Sequence, residues 1–71
     1  MRAIIRLELD PDEFLLLFHA YTMLGAVVGG DKPLGKQALS FAKYKMVVLG
    51  QEKISKLSEK MVSLAETIPH L

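Results

Sequence analysis

The sequence predicts a mostly α-helical, oligomeric fold. A short N-terminal β-strand over about residues 2–9 pairs between subunits, and two or three helices over about 11–28, 33–49 and 51–67 form a shared helical core. Three observations carry this expectation. Residues 14–30 read FLLLFHAYTMLGAVVGG, seventeen positions without a formal charge, and a helix that is apolar on every side has to be covered by something. Residues 2–9, RAIIRLEL, alternate in the period-two manner of a half-buried strand, yet nothing later in the chain reads as a second strand. The whole chain has 71 residues, 51% of them hydrophobic, and no cysteine. It is therefore near the size at which one core barely offsets chain entropy, with no disulfide or thiolate metal site to help.

In the strand, Ala3, Ile5, Leu7 and Leu9 share one face and Arg2, Ile4, Arg6 and Glu8 the other. A lone strand leaves its backbone donors and acceptors unpaired, so the same strand of another copy is the expected partner. Residues 46–49 are short and lie within a helical pattern. The first helix then starts at Leu9-Asp10-Pro11-Asp12-Glu13-Phe14. Asp10 suits the cap, Pro11 the first helical position and Glu13 the return half of a capping box, while Leu9 can staple against Phe14. Capping accounts for all three acids, and a hard-cation site would need more oxygen ligands than these.

At about 100° per residue, Leu15, Leu16, His19, Thr22, Met23 and Ala26 fall on one side of this helix. Leu17, Tyr21, Leu24 and Val28 fall on the other. Its length only just meets the requirement for a bilayer span, and His19, Tyr21, Thr22 and the closing Gly29-Gly30 point away from one. A membrane is not the expected partner. The alternation of residues 2–9 does not resemble a cleavable leader, so the expected location is the cytoplasm.

Gly29 and Gly30 close the first helix, and Asp31-Lys32-Pro33 opens the second. Leu34, Ala38, Phe41, Ala42, Met46, Val48 and Leu49 share its broad apolar face. Lys36, Ser40, Lys43 and Val47 lie opposite, with Lys32 flanking them. Gly35, Ala38 and Ala42 thin that face enough for another helix to come close, the natural candidate being the first helix with Gly25, Ala26 and Gly29. Beyond Gly50, Ile54, Leu57, Met61, Leu64 and Ile68 follow the 3-4 spacing of a coiled-coil seam, and Glu52 and Lys56 form an i,i+4 pair. That seam is rotated by roughly 120° from the preceding stripe. Either the helix breaks at Gly50 and folds back, or it continues and its halves face different neighbours. The absence of a strong cap after Gly50 favours continuation.

No constellation for catalysis is visible, and no cofactor is expected. Ser40, Ser55, Ser58 and Ser63 fall on helical faces, and His19 and His70 have no ligand-spaced neighbour. The glycine- and lysine-bearing turn at 29–36 lacks the order of a phosphate loop, with Gln37 where a hydroxyl belongs and Pro33 removing an amide. Two residues break their local patterns. His19, with Thr22 beside it, reads as a hydrogen-bonded core histidine, with a ligand or proton-transfer role as the alternative. Lys45 falls within the apolar face of the second helix, where its stem can snorkel or its ammonium can meet an acidic partner or anionic ligand. Lys36, Lys43, Lys45 and His19 are accordingly the candidate contacts to a partner or anion. Net charge is +1, which does not single out nucleic acid.

Arg2, Ile4 and Arg6 on a strand, a following proline, a helix, a glycine-bearing turn and a second helix together resemble the ribbon-helix-helix family over about residues 2–49. The resemblance implies a DNA-binding dimer whose paired strands enter the major groove. Arg2, Ile4 and Arg6 would face bases and Lys32, between Asp31 and Pro33, would lie at the phosphate clamp. Three functional readings result. The first is a non-enzymatic oligomeric interaction or regulatory module that binds or inhibits another macromolecule. The second is a ribbon-helix-helix-like regulator bound to duplex DNA. The third is an oligomer that holds a small anionic ligand between subunits. In each, the first partner is another copy of the chain.

Overall fold

The computed structural model describes residues 4–68 and contains two helices, α1 (Pro11–Gly29) and α2 (Lys32–Glu66). Each boundary has a local cause. Asp10 accepts the Glu13 backbone N–H at 2.9 Å, and the Glu13 side chain accepts the Asp10 N–H at 3.0 Å, which completes the capping box. At the other end Gly30 takes the left-handed conformation, φ 74°. This lets the Asp31 N–H reach the Ala26 carbonyl at 2.9 Å and the Gly30 N–H the Val27 carbonyl at 3.3 Å, a Schellman closure. Asp31 then caps α2 by accepting the Leu34 N–H at 3.1 Å. The helix ends at Thr67, whose hydroxyl donates to the Leu64 carbonyl.

Two expectations are corrected. Residues 4–10 form no strand, because alternation supplies a pattern but not a ladder, and among the described residues no second strand offers one. Residues 2 and 3 of the expected strand lie outside the described residues. The second correction concerns Gly50. The hydrogen-bonded helix runs from Lys32 to Glu66, but Gly50 interrupts its geometry with φ 82° and ψ 160°, a region essentially restricted to glycine. A straight helix of 35 residues would be about 52 Å long, whereas the longest dimension of the whole chain is 36 Å. The arm of residues 51–66 therefore turns away from the arm of residues 32–49. Lys53 and Lys60 meet Asp10 and Glu13 at the start of α1. A strong cap was not required, since one residue in the right conformation makes the bend.

The first arm of α2 lies antiparallel to α1. His19 stacks on Phe41 and Lys45 reaches Asp12, while a methyl group built on Gly35 would meet the Ala26 methyl at 3.6 Å. Ala26 and Gly35 thus bring the helices together as the small residues predicted, but Gly25 and Gly29 face open space. The buried apolar residues are Ala26, Ala38, Ala42, Leu49 and Leu57, three of them alanines. Leu57 belongs to the predicted seam of the final arm.

Gly50→Ala tests the bend. Within an ordinary helix this change would stabilise by roughly 0.5–1 kcal/mol. At Gly50 the backbone conformation makes it destabilising, by about 1–3 kcal/mol in urea denaturation. A stabilised variant would mean that the helix is continuous there.

Candidate functional site

The helices meet on one side of α1, through small side chains at Ala26 and Gly35 and through the His19–Phe41 stack farther along. On α1 the inward side holds Ala26, with Leu15, Leu16, His19, Thr22 and Met23 partly covered. The opposite side is open. Tyr21 is 76% exposed and Val28 89%, and Phe14, Phe18 and Leu24 are about half exposed or more. These positions, with partly covered Leu17 and with Gly25, share one face of the helix at 100° per residue. No charged residue interrupts that face, because the only charged positions of α1 are Asp12 and Glu13, both turned inward. Each such side chain left in water forgoes roughly 1.5–3 kcal/mol of burial.

The surplus is visible in the whole surface. The chain exposes 6061 Å², whereas a compact monomer of 7.9 kDa exposes about 4,400 Å² by the size scaling of folded proteins. The difference, about 1,600 Å², belongs to the chain as a whole, the irregular and mostly exposed residues 4–10 included. By length and composition α1 is also apolar enough to cross a membrane, with mean hydropathy 1.2 over its best 18-residue window, and 17% of that window is buried.

Two grooves run along the α1–α2 seam. One, with a volume of about 440 Å³, is lined by Met23, Ala26, Val27 and Leu39 together with Asp31, Lys32 and Lys36. The other is shallower, about 210 Å³, and contains His19 among Phe18, Thr22, Gln37 and Phe41. The His19 ring stacks on Phe41 at 5.0 Å and meets the edge of Phe18 at 5.6 Å. The Thr22 hydroxyl donates to the Phe18 carbonyl at 3.0 Å. His19 is thus part of an aromatic pack bordering a groove.

The remaining predicted site residues are dispersed. Lys45 is largely covered and places Nζ 2.8 Å from Asp12 Oδ1, so its acidic partner lies within the chain. Lys36 and Lys43 are exposed. Of the residues assigned to DNA by the ribbon-helix-helix resemblance, Arg2 lies outside the described residues and Ile4 and Arg6 are exposed in the segment without a strand. Lys32 is beyond the far end of α1 from them.

What the sequence did not disclose is a clasp at the N-terminus of α1. Lys45, Lys53 and Lys60 reach Asp12, Asp10 and Glu13 at 2.8, 3.6 and 4.0 Å. The available signal was the concentration of three acids at residues 10–13 and of lysines at 45, 53 and 60, on the same side of each arm. The exposed members contribute little individually, but together they favour acids at a helix N-terminus. Glu13, although buried, spends one carboxylate oxygen on the capping box and the other on Lys60. These carboxylates have structural partners in the three lysines.

The Asp10 carboxyl is held below its ordinary value. Its bond from the Glu13 backbone N–H is the main cause, partial desolvation opposes it, and the nearby Lys53 ammonium assists. Because the folded value is the lower one, Asp10 contributes stability above the unfolded value of about 3.9 that is lost as pH falls through the folded value. Asp10→Asn keeps a capping acceptor but cannot titrate. Its urea midpoint is expected to decline less between pH 5 and pH 2 than that of the parent chain, and equal declines would contradict the role given to Asp10.

In comparisons with known proteins, the chain matches no family model, no curated protein and no solved structure.

Proposed function

We propose that the chain is a non-enzymatic interaction module that works as a homo-oligomer and binds or inhibits another macromolecule through its helical surface. The observation that carries this reading is the uncharged outward face of α1, in a chain whose accessible surface exceeds that of a compact monomer. Soluble monomers rarely expose contiguous apolar patches beyond a few hundred Å², and larger ones mark contact sites.

The small-anion reading has one specific observation in its favour, Lys32 and Lys36 among the residues lining the larger apolar groove, with Asp31 beside them. It would suit an anion carrying an apolar group, with the lysines meeting the charge. The DNA-binding reading gains no such support, since residues 4–10 form no strand.

Sedimentation equilibrium tests the leading proposal. The expected mass is a multiple of 7.9 kDa that falls towards the single-chain value on dilution. A chain of 7.9 kDa at every concentration would overturn the oligomer. Flotation with lipid vesicles would replace it with a membrane-bound state.

A further inference from the structure

We infer that residues 51–66 form a strap, hinged at Gly50 and latched by charge, which rising ionic strength releases from the start of α1. The strap operates within one chain and does not depend on the oligomer proposed above.

A hinge needs one residue that can change its backbone conformation while its neighbours keep theirs. Gly50, at φ 82° and ψ 160°, lies between two runs of helix, residues 32–49 and 51–66. It has no Cβ to forbid either the bent conformation or the helical one, and nothing stands within 4 Å of the place a Cβ would occupy. Rotation at this one residue carries the arm away and leaves the helix on each side intact.

The latch is narrow. Lys53, Leu57, Lys60 and Leu64 recur at helical spacing and share one side of the arm. Leu57 is the only buried residue of the arm, 3% exposed, and a single helix cannot enclose its own side chain to that degree. Beside it Lys53 reaches Asp10 at 3.6 Å, and Lys60 reaches Glu13 at 4.0 Å and the Glu8 carbonyl at 3.5 Å. Both lysine side chains are about half exposed or more, so dissolved salt screens these pairs. Lys45 differs. It lies before the hinge, is largely covered and holds Asp12 at 2.8 Å, a contact that stays in place when the arm departs.

The arm also leaves its own apolar seam half used. Ile54 and Leu64 are partly covered, while Met61 and Ile68, in the same 3-4 spacing, are each 42% exposed. One leucine and two screened ion pairs are a light attachment, and segments with few buried apolar contacts open at less cost than the whole chain unfolds. Release presents Ile54, Leu57, Met61 and Leu64 as a continuous seam. It also strips Lys53 from Asp10 and Lys60 from Glu13. The latched chain thus withholds an apolar seam and an acidic patch that the released chain offers together.

The chain has no cysteine, so an introduced thiol reports the release directly. Leu57→Cys is expected to react with iodoacetamide, an uncharged reagent, roughly fivefold faster in concentrated than in dilute sodium chloride, the change that two exposed ion pairs support. Val47→Cys, exposed on the first arm, should keep its rate, and Ala42→Cys, buried before the hinge, should remain protected throughout. Adding Lys53→Gln and Lys60→Gln to the Leu57→Cys chain should make the thiol reactive in dilute salt and abolish the salt response. Adding Gly50→Ala, which disfavours the bent backbone, should also make it reactive. Hydrogen exchange of the unsubstituted chain decides the matter should Leu57→Cys itself loosen the arm. Amides of residues 51–66 should lose protection in concentrated salt while those of 34–49 keep it, because a free helix of that length is marginal.

Salt-independent exchange in residues 51–66 would overturn the latch. Equal salt responses of Leu57→Cys and Ala42→Cys would mean that the arm opens only when the whole chain does. A Gly50→Ala chain that protects the Leu57→Cys thiol as well as its parent does would place no hinge at Gly50. Either of these results also ends the proposal.

Discussion

The contact of small residues between the helices, Ala26 beside Gly35, governs the rest of the molecule. With Ala38 and Ala42 buried along the same seam, α1 and the first arm of α2 draw together on one side of α1. Phe14, Phe18, Tyr21, Leu24 and Val28 are consequently on the outside, where burial within one chain is out of reach. The small-residue seam and the apolar exterior are two aspects of one arrangement. A chain that places Ala26, Gly35, Ala38 and Ala42 in its internal seam leaves many of its large apolar side chains for contacts with something else.

The bend at Gly50 and the lysine clasp complete the intramolecular packing. By turning the final arm back to the start of α1, Gly50 allows Leu57 to be buried and brings Lys53 and Lys60 to the acids that cap α1. The arm then covers the end of the hairpin rather than the middle of its apolar face. The open face of α1 is therefore bounded by the fold itself. Its charged residues are gathered at one end and neutralised from within the chain.

The parts of this arrangement that depend on near neighbours were legible in the sequence. Asp10, Pro11 and Glu13 specify the start of α1 through contacts three residues apart, and Gly30 specifies its end. The division of α1 into one side with Ala26 and another with Tyr21 and Val28 follows from helical spacing alone. What depends on distant partners was not legible. Lys45 lies 33 residues from Asp12, and periodicity cannot say which acid a lysine will meet. The alternation of residues 2–9 suggested a strand, but a strand is defined by its neighbour, and none accompanies residues 4–10. Gly50 could belong to a helix or break it, and only its dihedral angles decide. For the candidate surface, the sequence indicated that α1 had to be covered on all sides, while the structure identifies the side that its own chain leaves open.

If the chain works as an oligomer, association and folding are linked, because the monomer retains apolar surface that the oligomer removes from water. The most direct test is the thermal unfolding midpoint as a function of protein concentration. A midpoint that rises with concentration is predicted, as mass action requires when only the folded chain associates. A midpoint independent of concentration, in a chain that unfolds reversibly as a monomer, would contradict the account.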